Sequence, residues 1–143
     1  MRIPALLLAG AALLLPGAAA AEISKQFGDY EIHYNALTTA DLAPEVAKAY
    51  GIQRSRNRGM LTAAVLKKNA LGVTQPVAAG IEARAVSLTG QSTNIAMREI
   101  KEQAAVYYVG EFPLAGEVVR FTVRVTPQGA PGPYQFDFER RFY

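Results

Sequence analysis

After residue 21 the chain is dominated by an alternation of apolar and polar positions. Successive side chains of a β-strand point to opposite faces, so this alternation predicts strands that bury one row and expose the other. Six runs show the pattern, and their apolar members are Tyr30, Ile32 and Tyr34; Leu61, Ala63 and Val65; Val77, Ala79, Ile81, Ala83 and Ala85; Val106, Tyr108 and Phe112; Val119, Phe121, Val123 and Val125; and Tyr134, Phe136, Phe138 and Phe142.

Short segments that are typical of turns separate these runs. They contain Gly, Asn, Asp or Pro, as in the stretches that end at Gly72, Gly90 and Pro133. Short alternating strands with turns at this spacing predict an all-β fold, an antiparallel β-sandwich of about seven or eight strands.

Residues 41–51 depart from the period of two and predict a short helix in a strand-to-strand connection. Pro44 suits the first helical position, Glu45 suits the positive end of the helix, and Gly51 suits its C-terminal cap. Leu42 and Tyr50 lie at the ends of an apolar stripe with a spacing of four residues. A helix this short is unstable alone, so we expect it to dock on the sandwich.

Residues 1–21 have the organisation of a secretory signal peptide. Arg2 supplies a positive charge, residues 3–15 are almost continuously apolar, and four alanines follow Pro16 and Gly17. The apolar run is shorter than the roughly 20 residues of a membrane-spanning helix, which disfavours the alternative of an uncleaved anchor. We therefore expect cleavage, export, a single β-sandwich domain over residues 22–143 and no transmembrane span in the mature form.

Composition excludes several kinds of chemistry. The chain has no Cys and one His, which excludes disulfides, thiolate metal sites and multi-histidine metal centres. We expect no metal and no cofactor. The formal net charge is +3, without a basic tract interleaved with aromatic residues, so nucleic acid is not an expected partner.

The densest polar cluster follows the predicted helix and contains Arg54, Arg56 and Arg58. In an extended segment the three guanidinium groups would point to one side and could bind carboxylates, phosphates or lipid headgroups. Alternatively, these arginines form a solvated strand entry and pair with Asp41 and Glu45.

Three further residues are weaker candidates. His33 and Tyr107 are candidate binding residues. A surface histidine is the simpler interpretation of His33, and Tyr107 is either a surface contact or a tyrosine that hydrogen-bonds a corner of the sandwich. Ser92 lies in a sequence that begins like the G-x-S-x-G nucleophile motif, but Asn94 replaces the second glycine and no strand-to-helix elbow is predicted. We therefore interpret Ser92 as part of a turn and predict no catalytic residue.

Several motifs together resemble domain-of-unknown-function family 4426. They are Phe27-Gly28-Asp29-Tyr30, His33-Tyr34-Asn35-Ala36, Pro44-Glu45-Val46-Ala47, Tyr50-Gly51-Ile52 with Arg54-Ser55, Gly90-Gln91, Arg98-Glu99-Ile100, Val106-Tyr107-Tyr108 and Phe142-Tyr143. The resemblance covers the mature chain and is most specific over residues 44–58. It implies a small exported protein of Gram-negative bacteria, a periplasmic location and an immunoglobulin-like sandwich, but no established activity.

These observations favour a non-catalytic binding or accessory module of the cell envelope. Its expected partner is an envelope protein or an anionic ligand at the three arginines, because binding residues favour loops on rigid scaffolds. The alternatives are a small hydrolase or carbohydrate-active enzyme using Asp, Glu and Tyr, and a structural accessory that offers a sheet edge. The oligomeric state stays open.

Overall fold

The computed structural model describes residues 23–115 and 118–142, so the predicted signal peptide lies outside the described residues. Ten strands, one 3-10 helix at Thr39–Asp41 and one α-helix, α1 at Pro44–Tyr50, are described. The strands are β1 Ile23–Phe27, β2 Tyr30–Thr38, β3 Arg58–Lys68, β4 Thr74–Pro76, β5 Ala79–Ser87, β6 Ser92–Ile95, β7 Arg98–Glu102, β8 Ala105–Pro113, β9 Val118–Pro127 and β10 Tyr134–Arg141.

The strands form two antiparallel sheets, which confirms the predicted all-β class. The larger sheet has the order β1-β2-β3-β8-β7, with β4 pairing with the far end of β3. The smaller sheet has the order β10-β9-β5-β6. The ten strands exceed the seven or eight expected because four of them (β1, β4, β6 and β7) have three to five residues and little alternation.

The main core lies between the inner faces of the two sheets. It is built from the alternating residues that the sequence indicated, including Ile32, Leu61 and Phe121, each with no exposed surface. Aromatic rings dominate its middle: Phe121 packs edge-on to Phe112 with ring centroids 5.1 Å apart and stacks on Phe138 at 4.8 Å. Such pairs add about 0.5–1.5 kcal/mol each beyond burial.

The predicted helix forms, and its position creates a second apolar cluster. Pro44 occupies the first turn, and Gly51 ends the helix in the left-handed conformation with φ 69°. Leu42, Ala47, Leu37, Met60, Val109 and Ile52 are buried together there, so α1 covers the outer face of the larger sheet. We call this outer face the helix-bearing face.

Two close contacts hold strands together, one within the larger sheet and one between the two sheets. Gly59 pairs with Phe112, whose ring covers the glycine so closely that an added Cβ would be 2.2 Å from the Phe112 Cζ atom. Tyr108 joins the two sheets because its hydroxyl accepts a hydrogen bond from the Ala79 backbone N–H at 2.8 Å and donates one to Glu99 Oε2 at 3.0 Å.

The structure also refines the interpretation of Ser92. This residue is the exposed first residue of β6 and pairs with Val86 of β5. The preceding turn, with Gly90 at φ 87°, therefore joins two strands of a hairpin. Among the described helices, none is both long and apolar enough to span a bilayer.

Candidate functional site

The segment after α1, residues 53–58, is held to the rest of the fold at both ends, and we call it the arginine loop. Thr39, which is fully buried, receives a hydrogen bond from the Ser55 N–H at 2.9 Å and donates one to the Ser55 carbonyl at 3.0 Å. On the other side, the Leu114 N–H donates to the Asn57 carbonyl at 2.8 Å. These bonds fix the loop between the 3-10 helix and the end of β8.

The three arginines do not form the single extended row that the sequence suggested. The chain turns at Arg56 and Asn57, and the Asn57 N–H donates to the Ser55 hydroxyl at 3.0 Å. Arg58 then begins β3. The reason is local: the serine hydroxyl accepts a backbone bond two residues ahead, which favours a turn over a strand.

Two of the arginines have partners within the described chain, and these differ from the expected ones. Arg54 donates to the Ala40 carbonyl at 2.9 Å. Arg58 Nε lies 3.1 Å from Glu111 Oε1, with both side chains partly exposed. Arg54 and Arg58 therefore have other partners than Asp41 and Glu45, the partners of the alternative interpretation, and Arg58 reaches Glu111 because β3 pairs with β8.

Arg56 is different, because its side chain is exposed at the tip of the turn and forms no hydrogen bond or ion pair with the described residues. A guanidinium group keeps its charge at any physiological pH and offers a planar fork of donors. The arginine loop therefore presents one uncommitted cation between two anchored ones.

His33 and Tyr107 lie together on the helix-bearing face but away from the arginine loop. His33 pairs with Ala64 of β3, and Tyr107 precedes Tyr108, whose partner is Ala63. The two candidates therefore lie on either side of β3. Their backbones are about 10 Å apart, because neighbouring strands are about 4.8 Å apart. Ala64 is six residues from Arg58, which corresponds to about 20 Å along the strand.

The environment of His33 is partly exposed and acidic. Its Nε2 atom lies 3.5 Å from Glu31 Oε1 on the same strand face, and the two side chains are 27% and 31% exposed. The contact is an ion pair when His33 is protonated and otherwise a weak polar contact. It supplies a polar surface at this end of the face.

Tyr107 lies near Tyr50, the last residue of α1. It pairs with Ile100 of β7, which packs with Tyr50 against the second apolar cluster. Burial raises the pKa of Tyr50, and the nearby Glu102 and Tyr107 raise it further. The guanidinium of Arg98 donates to the Tyr50 carbonyl, a favourable position for a cation at a helix C-terminus.

Sequence reasoning missed this second apolar cluster, although a signal was present. Ala36-Leu37, Met60-Leu61 and Tyr108-Val109 are adjacent apolar pairs, and they mark strands that are buried on both faces. The cluster matters here because it fixes the helix and hence the start of the arginine loop.

Two depressions of the described surface bear on the enzyme alternative. A cleft of about 230 Å³ at one end of the sandwich is lined by Ala85, Ser87, Gln91, Thr93, Pro113, Ala115 and Val119. A groove of about 250 Å³ on the outer face of the smaller sheet contains a single carboxylate, Glu82. Neither depression has the two carboxylates that general acid–base chemistry of the predicted type needs.

Side chains of the usual metal-ligating types do not cluster in the described residues. None of them form a group of three or more His, Cys, Asp or Glu side chains that could hold a metal ion.

Comparison with known proteins identifies a family and a fold. Residues 24–143 match the family described as "Domain of unknown function (DUF4426)". No curated protein sequence matches the chain. A crystal structure of a DUF4426 family protein from Pseudomonas aeruginosa PAO1 is 30% identical, with a TM-score of 0.72, and the match covers 85% of this chain and 94% of that one.

More distant matches share the fold alone. FetP from uropathogenic Escherichia coli strain F11, expressed recombinantly in the periplasm, is 14% identical with a TM-score of 0.59, covering 85% of this chain and 93% of that one. A copper-bound variant of FetP is also 14% identical, with a TM-score of 0.60, covering 87% of this chain and 91% of that one.

Proposed function

Since the chain belongs to the DUF4426 family, we propose that it is a periplasmic binding module that carries out no chemistry of its own. Its fold is an immunoglobulin-like sandwich, and it is exported after cleavage of residues 1–21. Its partner is an acidic component of the cell envelope, contacted through the arginine loop.

The observation that carries the proposal is the combination of a fixed loop and an uncommitted cation. The Thr39 hydroxyl and the Leu114 N–H hold the loop by hydrogen bonds to the backbone of Ser55 and Asn57, so the backbone that carries Arg56 has little conformational freedom to lose on binding. Charged residues at an interface chiefly set the association rate and the choice of partner. An uncommitted cation on a fixed loop suits that role.

His33 and Tyr107 extend the proposed contact surface along the helix-bearing face. They lie about 20 Å from the arginine loop. A standard interface buries about 800 Å² on each partner, which corresponds to a patch roughly 30 Å across. One partner of ordinary size can therefore reach both ends of the face.

The periplasmic location draws on two observations. The composition of residues 1–21 is that of a signal peptide. FetP, which has the same fold, was isolated after expression in a bacterial periplasm. Cell fractionation and N-terminal sequencing of the mature protein test the location and the cleavage site together.

The binding proposal is tested by Arg56→Gln in pull-downs from envelope extracts at low and moderate salt. Arg141→Gln is the matched control, because Arg141 is also exposed and lies at the end of β10 in the smaller sheet. We expect Arg56→Gln to weaken capture of the partner and Arg141→Gln to leave it unchanged. Identical profiles for both variants and the unmodified protein would contradict the proposal.

A triple variant in which Arg54, Arg56 and Arg58 are replaced by Gln is a stronger form of the test. It also removes the contacts to the Ala40 carbonyl and Glu111, so its urea unfolding must be measured beside its binding. Lost binding with intact folding supports the proposal, and retained binding opposes it.

A further inference from the structure

The outer face of the smaller sheet carries a groove whose lining is almost wholly polar. Four strands contribute its side chains, and we call it the polar groove, lined by Glu82, Ala83, Arg84, Asn94, Thr122, Arg124 and Gln135. It lies on the sheet opposite the helix-bearing face, so the inference drawn from it does not depend on the arginine loop.

Arg84 and Arg124 are the distinctive members of the groove. Neither forms an ion pair or a side-chain hydrogen bond with the described residues. On the same sheet face, Arg120 donates to Glu139 Oε2 through both Nε and Nη2, at 3.3 and 2.8 Å. Arginines of this face thus pair with a neighbouring carboxylate where the geometry favours it, and the two groove arginines do not.

The register places Arg84 and Arg124 as diagonal neighbours on one face of the sheet, and both line the same groove. Arg84 is directly opposite Thr122, and Arg124 lies two residues further along β9 on the same face. Such diagonal neighbours are about 7–8 Å apart at their backbones, within reach of long side chains. Glu82 lies opposite Arg124, but these two described residues do not form an ion pair.

Two exposed guanidinium groups on neighbouring strands repel each other weakly, and an anion bound between them removes that repulsion. Each offers a planar fork of donors that matches a carboxylate or a phosphoryl group. The remaining groove residues, Asn94, Thr122 and Gln135, offer neutral donors and acceptors that suit hydroxyl groups. The volume of about 250 Å³ is below the range of drug-sized pockets, so the ligand must be small.

We propose that the polar groove binds a small oxyanion that carries hydroxyl groups, with the anion held between Arg84 and Arg124. Phosphorylated polyols and sugar acids share this chemistry. Glu82 accepts a hydrogen bond from a ligand hydroxyl and disfavours ligands with several negative charges.

The test is a titration of the mature protein followed by NMR chemical shifts of its backbone amides. The probes are glycerol phosphate and glucuronate, with glucose as the neutral control and inorganic phosphate as the anion that lacks alcohol groups. We expect at least one hydroxylated anion to bind with a Kd of about 1 mM or below, with shifts centred on β5 and β9. Whether glycerol phosphate or glucuronate binds more tightly distinguishes a phosphoryl from a carboxylate ligand.

Variants localise the binding. Arg84→Gln and Arg124→Gln should each weaken it by about tenfold or more, because each removes charge-assisted hydrogen bonds. Arg120→Gln is the matched control, since Arg120 lies on the same face but is paired with Glu139, and it should leave the affinity within about twofold.

Three results would overturn the proposal. They are the absence of binding by both hydroxylated anions, equal binding of glucose, and equal weakening by all three arginine variants, which would indicate unspecific attraction to a basic surface. These results do not affect the arginine loop proposal, because that proposal is tested by Arg56→Gln, which lies outside the polar groove.

Discussion

The contact between Gly59 and Phe112 gives the sharpest prediction about the core. In Gly59→Ala the new Cβ would lie 2.2, 2.5 and 2.9 Å from three atoms of the Phe112 ring. Carbon atoms in favourable contact are about 3.5–4.0 Å apart, so the ring would have to move by about 1 Å or more. Backbone strain is not the cause, because Gly59 does not have a positive φ.

The ring has little space for that movement. Phe112 is fully buried and packs edge-on against Phe121 and Phe142, with centroids 5.1 and 6.1 Å away. Overpacking of this kind costs about 1–3 kcal/mol. Alanine also restricts the unfolded chain more than glycine does, which offsets about 0.4–1 kcal/mol of this loss in stability. We expect a net loss of about 1–2 kcal/mol in the free energy of unfolding.

Urea unfolding of the mature protein measures this loss, and Gly80→Ala is the matched control. Gly80 is also a strand glycine without positive φ, but nothing lies within 4 Å of its added Cβ. This variant should be neutral or slightly stabilising. In a Phe112→Leu background the penalty of Gly59→Ala should shrink by about 1 kcal/mol, because the crowded ring is absent. An unchanged penalty there, or a Gly59→Ala as harmless as Gly80→Ala, would refute the reasoning.

Three further predictions concern the joints of the fold. Tyr108→Phe removes the hydroxyl that binds the Ala79 N–H, and it should lower the free energy of unfolding by about 1–2 kcal/mol in urea titrations. Thr39→Val removes both hydrogen bonds to Ser55 and should speed amide hydrogen exchange in the arginine loop while β9 stays protected; uniform protection would contradict its anchoring role. The pKa of Tyr50 is raised above 10.0 by burial, so the unfolded state ionises first and stability should fall as pH rises past about 10, less steeply in Tyr50→Phe.

The alternating strands could be predicted from sequence because each buries one row of side chains. Ile32, Val65 and Phe121 lie in the core as their spacing indicated, and Pro44 and Gly51 bound the helix. These features follow from local chemistry and the period of two. They require no knowledge of which strands pair.

The arrangement of the arginines could not be predicted in the same way. Arg58 pairs with Glu111, a residue 53 positions away, and only the pairing of β3 with β8 brings them together. The turn at Arg56 itself is local, but its position is fixed by bonds between Ser55 and the buried Thr39, 16 residues earlier in the chain. Likewise, the polar groove joins residues of β5, β6, β9 and β10, whose order in the sheet no local pattern reveals.

The most direct test of the proposed function is photo-crosslinking in intact cells from the arginine loop. A photoreactive amino acid replaces Asn57, whose side chain is exposed beside Arg56, and Gln128 in the β9–β10 turn serves as the control position. We predict a discrete adduct with an acidic envelope component from position 57 only, lost in Arg56→Gln and reduced by added salt. The same adducts from both positions, or an adduct that persists in Arg56→Gln, would contradict the account.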